Sequence, residues 1–225
     1  MEGGFRGRLH LVPEPPLGKH RKHLGWISAA RRDFDEFFAK LAPLAKERIA
    51  YRHKPLGYRF FRSVGRTTPS AFAEGWTVSY NVSGSLHRDA GAVRETLFHE
   101  VFHLNDAAHG DWSVRTLTPI FDAIVKRCGT RVACLRPYAP GETMVRGGTY
   151  YAFQPDNGES VHEYAAELGT RYFLEHRAVF AGVKTVKPAF KCGPEENRRA
   201  WAALVAEFFG GVDAVPPCPA GPSSG

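Results

Sequence analysis

The pentapeptide His99-Glu100-Val101-Phe102-His103 constrains this chain more than any other stretch of it. Histidines four apart on a helix share one face, so both imidazoles can bind a single metal ion while Glu100, beside them, reaches a metal-bound water. The flanking residues predict that helix. Val93, Leu97, Val101 and Leu104 form one apolar stripe with Phe98 and Phe102 next to it, so residues 90–106 read as a helix buried on nearly all sides. Unpaired polar groups are costly to bury, and two histidines and a glutamate on such a helix call for a ligand.

A zinc site of this kind needs a third protein ligand and an open fourth position for water. Two residues compete for the role. Glu163 stands in Val161-His162-Glu163-Tyr164-Ala165-Ala166-Glu167-Leu168, with 59 residues between it and His103, at the start of a helical pattern running to about His176. Glu163 and Glu167 share a face, so one carboxylate can bind the metal while the other accepts a hydrogen bond from a ligand histidine and fixes its tautomer. His109 lies ten positions after His99, the spacing of the extended HExxHxxGxxH pattern, in which the helix stops and the chain turns back with a third imidazole. In that pattern Asp106 stands where glycine is expected, and Met144 is the candidate for a methionine turn.

The HEVFH helix followed at a distance by EYAAE resembles the zincin metallopeptidases, in particular their gluzincin branch. Strands cluster early and helices dominate later, which suggests an α+β fold, and with the resemblance this reads as a zincin-like domain with a small mixed sheet, an active-site helix and a helical C-terminal half. The resemblance implies that His99, His103 and Glu163 bind Zn2+ and that Glu100 is the general base. On this reading the protein is a zinc metalloendopeptidase acting on a protein or peptide substrate through a zinc-activated water, with Trp76 to Ser83 as an edge strand that pairs with an extended substrate. A hydrogen-bond donor is usually needed for the developing oxyanion, and Tyr151, or its neighbour Tyr150, is the residue type in the right place, although both can equally serve as packing aromatics beside Phe153. His162 and Arg171 are weaker candidates. Asp111 and Trp112 either shape the site or simply end the active helix.

Other features bound the alternatives. The chain has 225 residues, 43% hydrophobic and 24% charged, which fits one sizeable core and excludes wholesale disorder, collagen-like repetition and coiled coil. No run approaches the ~18 apolar residues of a membrane span, and the first residues lack the apolar core of a secretory signal. Residues 1–66 hold 15 Lys/Arg against 6 Asp/Glu, a surplus of +9 in a chain whose total is +7. This asymmetry leaves two alternatives open, a non-catalytic zincin-like binding or sensor module worked by a basic arm and a DNA-associated protease, though no zinc ribbon or recognition helix accompanies the charge. Four cysteines without CxxC pairing suggest disulfides, Cys128 with Cys134 and Cys192 with Cys218. Paired cysteines imply a secreted or periplasmic location, and reduced ones a cytoplasmic location.

Along the chain, residues 1–25 read as a basic Pro/Gly-rich arm, 26–212 as the catalytic domain and 213–225 as a flexible Pro-rich tail. Within the domain, periodicity predicts a helix from Ser28 to about Ala50 bent at Pro43, strands over 58–64 and 76–83 joined by a turn-rich linker, and helices over 90–106, 113–127, 161–176 and 195–209. The second strand alternates Trp76, Val78, Tyr80 and Val82 with polar residues, as a half-exposed strand at a sheet edge would.

Overall fold

The computed structural model describes residues 10–145, 148–154, 160–183 and 188–219. The chain is mixed α+β, and it divides into two compact units.

The first unit carries the sheet. Its elements are β1 (Leu11–Pro13), α1 (Lys22–Leu41, whose last residue falls to the second unit), β2 (Gly57–Ser63), β3 (Ala71–Glu74), β4 (Thr77–Asn81) and α2 (Ala90–Ala108). The strand order is β1-β2-β4-β3, with β2 and β4 parallel and the outer pairs antiparallel. Two expectations change here. The segment read as an arm contains β1, which pairs Leu11 with Ser63, and a helix that starts at Lys22 rather than Ser28. Pro43 ends that helix instead of bending it, because a proline removes a backbone donor and clashes with the preceding turn.

The expectation of an edge strand at 76–83 is overturned. β4 lies inside the sheet, because the supposed linker supplies β3, which folds back on β4 through the two-residue turn Gly75-Trp76 with both residues left-handed (φ 55° and 58°). The alternation that suggests exposure has another cause. Ser79 and Asn81 are buried, and the Asn81 amide donates to Ser63 Oγ (2.7 Å) and to the Pro69 carbonyl (2.9 Å), so hydrogen bonds within the protein replace those to water. Trp76 is a large residue in a conformation that costs about 1–2 kcal/mol. The Arg52 guanidinium stacks 3.9 Å from its ring centroid.

The core of this unit is aromatic and threaded with histidine. Phe34 of α1 meets Phe98 of α2 edge to face, Tyr51 stacks on Phe98, and Arg94 ties α2 to α1 through Asp33 (2.9 Å). On β4, Tyr80 shares a hydrogen bond with His23 Nδ1 (2.8 Å) and stacks on His87 at 3.9 Å. The turn that seats His87 depends on Gly84, where a Cβ would stand 2.8 Å from the Ser70 Cα.

The second unit contains α3 (Trp112–Cys128, its first residue still in the first unit), α4 (Val132–Leu135), α5 (Ser160–Phe180) and α6 (Glu195–Phe208). Apart from the short α4, these helices follow the expected ones to within a few residues. Tyr172 of α5 stacks on Phe209 at 3.8 Å and donates its hydroxyl to the Val212 carbonyl (2.7 Å), while His176 stacks on Trp201. Both expected cysteine pairs are disulfides, with Cα separations of 5.4 Å for Cys128–Cys134 and 5.2 Å for Cys192–Cys218. The second bridge changes the reading of the tail. Through Pro219 it is tied down, with Val215 buried and Asp213 accepting from Lys191 Nζ (2.6 Å) and Trp201 Nε1 (3.1 Å). Residues 220–225 and 1–9 lie outside the described residues.

Burial holds the pKa of His23, His87 and His176 at about 4. At His23 the neighbouring Lys22 and His20 push in the same direction, whereas at His176 burial outweighs the opposing pull of the Tyr172 carbonyl and Asp213. Each of the three is neutral in the native state near neutral pH, and in the unfolded chain it protonates near pH 6.5. Their contribution to stability is therefore complete above that pH and falls as the pH drops toward 4, because unfolding takes up protons that the native state refuses. Urea unfolding followed from pH 7 to pH 4 is expected to show this fall, with His87→Gln flattening the slope by about one proton. A midpoint that stays level over that range would contradict the assignment.

Candidate metal centre

The site is built on α2. Asp89 caps the helix, its carboxylate accepting the Ala92 N–H (2.9 Å) and holding the first turn. Val93, Leu97, Phe98, Val101 and Phe102 are fully buried, as the apolar stripe requires. This packing fixes the helix about its own axis and so fixes the direction of His99 and His103. Asn105, 1% exposed, adds a polar clamp: its side chain accepts the Arg52 N–H (2.7 Å) and donates to the Arg52 and Val101 carbonyls. A buried asparagine satisfying the backbone of a neighbouring segment leaves no periodic trace, so pattern reasoning passes over it.

His99 Nε2 and His103 Nε2 stand 3.0 Å apart, with the rings edge to face. His99 is buried and His103 half-buried. Together with Glu163 of α5 they form a group in which one ligand atom from each residue lies within 4.8 Å of the others. Such a group can hold a metal ion. Two imidazole nitrogens at this distance face each other with lone pairs that only a shared proton or a cation reconciles. The donor set also fits zinc: bonds of about 2.0–2.1 Å in a tetrahedral site place two nitrogens about 3.4 Å apart, close to the distance found.

The other candidates fall as follows. Glu100, half-buried, follows His99 by one residue, a step of about 100° around the helix that carries it past the direction of His103. His109 is not part of the group. Asp106 remains helical and is 1% exposed, so α2 does not stop where the HExxHxxGxxH pattern needs it to. The left-handed turn comes only at Gly110 and Asp111 (φ 65° and 51°), beyond His109, which makes Asp111 a helix-terminating residue. Met144 is 46% exposed and pairs across a bridge with Tyr150. Tyr151 opens a short 3-10 turn, Tyr151–Phe153, its N–H held by the Thr143 carbonyl (2.8 Å). Tyr150 is buried and Tyr151 half-buried, so of the two Tyr151 is the more accessible. Arg171 is engaged with Glu175 in an ion pair of 2.6 Å along α5.

Two neighbours of Glu163 that the sequence already singles out make contacts that spacing alone does not announce. His162 Nδ1 lies 2.9 Å from the hydroxyl of the fully buried Ser113, which ties the first turn of α5 to the start of α3. Glu167, one turn after Glu163, presses its carboxylate against Gly141, where a Cβ would fall 1.5 Å from Oε2. Any side chain at 141 would have to push that carboxylate aside. Glu167 lies on the face of α5 that carries Glu163, so Gly141→Ala, by displacing it, is expected to weaken metal affinity by about 10- to 100-fold in a competitive chelator titration. Affinity unchanged by the substitution would remove Glu167 from the site. The chain matches no family model, no curated protein and no solved structure.

Proposed function

We propose that the chain is a zinc-dependent peptidase of the zincin type, closest in its arrangement to the gluzincin branch. The observation that carries this reading is the His99, His103 and Glu163 group on an HExxH helix, with its two imidazole nitrogens 3.0 Å apart. In this reading those three residues hold the ion. Zinc, when bound, supplies Lewis acidity and lowers the pKa of a coordinated water to about 7.

The residues of the chain do the rest. Glu100 takes a proton from the attacking water and delivers it to the amine nitrogen as the peptide bond breaks. Tyr151 donates a hydrogen bond to the carbonyl oxygen as negative charge gathers on it. The strand that pairs with an extended substrate is β3 rather than β4. β3 stands at the sheet edge and packs against α2. In its antiparallel ladder Ser70 O accepts from Asn81 N–H, so the alternate residues Ala71 and Ala73 turn their backbone N–H and C=O away from β4. A peptide laid along that edge gains main-chain hydrogen bonds without regard to its side chains.

Glu100 weighs against a non-catalytic binding module, which has no use for a base beside the metal ligands. Glu100→Gln is expected to retain zinc while cleavage of a denatured protein substrate falls by about 10²- to 10⁴-fold. Undiminished turnover would refute the assigned chemistry, and loss of the zinc itself would show Glu100 to be structural.

A further inference from the structure

Residues 15–32 contain five Lys/Arg and no Asp or Glu. The structure gives the first part of this window a definite shape. A 3-10 turn, Gly18–His20, runs into α1, with Gly18 left-handed (φ 52°) and the Leu17 carbonyl accepting the His20 N–H at 2.9 Å. Leu17 is thereby held outward at 71% exposure, the largest value among the described large hydrophobic residues, and Leu24, farther along the chain, is 41% exposed. Lys19, Arg21 and Lys22 are exposed between them. Among the described residues none of these three makes an ion pair, and the nearest acid in sequence, Glu14, is engaged with Arg62. Lys22 Nζ lies 4.9 Å over the ring of the half-buried Trp26, which lends the patch an aromatic flank.

We infer that this turn and the first turn of α1 form a docking surface for an anionic lipid membrane. Three exposed cations attract a negatively charged surface, and each basic residue near such a surface strengthens binding about fivefold. The leucines decide between anionic partners. Inserted among lipid headgroups and acyl chains, Leu17 and Leu24 bury apolar area that is otherwise exposed to water, and a tryptophan flank suits the same interface. A nucleic-acid backbone satisfies the cations and leaves both leucines in water. No helix among the described residues is long and apolar enough to cross a membrane.

This inference does not depend on the peptidase reading. Its test is co-sedimentation of the full chain with phosphatidylcholine vesicles, with and without about 30% phosphatidylserine, alongside fluorescence anisotropy with a duplex oligonucleotide. Binding is expected only to the phosphatidylserine vesicles, weakening steeply with salt. The triple variant Lys19→Glu, Arg21→Glu, Lys22→Glu should lose that binding more than about tenfold. Leu17→Ser with Leu24→Ser should weaken it severalfold while leaving the salt dependence in place. Vesicle binding that ignores both variants would overturn the proposal, as would binding to the duplex without binding to vesicles, or binding to neither. All the altered side chains are exposed, and circular dichroism of each variant separates a lost interaction from a lost fold.

Discussion

Two imidazole nitrogens facing each other at 3.0 Å on a helix whose apolar residues are fully buried are the constraint on which the chemistry of this chain depends. A helix can carry histidines four apart without penalty when they point into water. Here His99 is buried and α2 is held by fully buried Val93, Leu97, Phe98, Val101 and Phe102, so the rings cannot move out of the way by rolling the helix. A proton shared between the two rings or a cation can satisfy their lone pairs, and with Glu163 the group has the donors to hold a metal ion. Much of the surrounding structure can be understood as holding that helix still: the Asp89 cap at its start, the Arg94 to Asp33 ion pair along its side, and the Asn105 clamp near its end.

How much of this is legible in the sequence depends on whether the physics is local. The helices α2, α3, α5 and α6 are legible because each presents a repeating apolar face, and periodicity is a property of neighbouring residues. The histidine pair is legible for the same reason, since spacing along a helix brings His99 and His103 to one face. The place of β4 is not. Its alternating polar residues look like an exposed face, and only the hydrogen bonds of Asn81 to Ser63 and Pro69, residues well back along the chain, reveal why they are buried. β3 leaves little trace because four residues flanked by turn formers carry too short a pattern to stand out. Gly141 and Ser113 leave none, because what matters at each is a single contact with α5 made possible by the tertiary fold.

The two disulfides close loops of different length. In the chain-entropy account Cys128–Cys134, with a sequence separation of 6, and Cys192–Cys218, with a separation of 26, restrict the unfolded chain by about 2 and about 3.5 kcal/mol respectively. The longer bridge acts on a segment that is also held by the ion pair of Lys191 with Asp213, so covalent and ionic restraints converge on the same tail. Two formed bridges fit an oxidising compartment, where such bonds persist.

The most direct test of the account is the metal content of the purified protein, measured by elemental analysis for the wild type, Glu163→Ala and His109→Ala. The account predicts about one zinc per chain in the wild type and in His109→Ala, and loss of the metal in Glu163→Ala. Loss with His109→Ala instead, or a wild-type protein that takes up no metal when zinc is supplied, would contradict it.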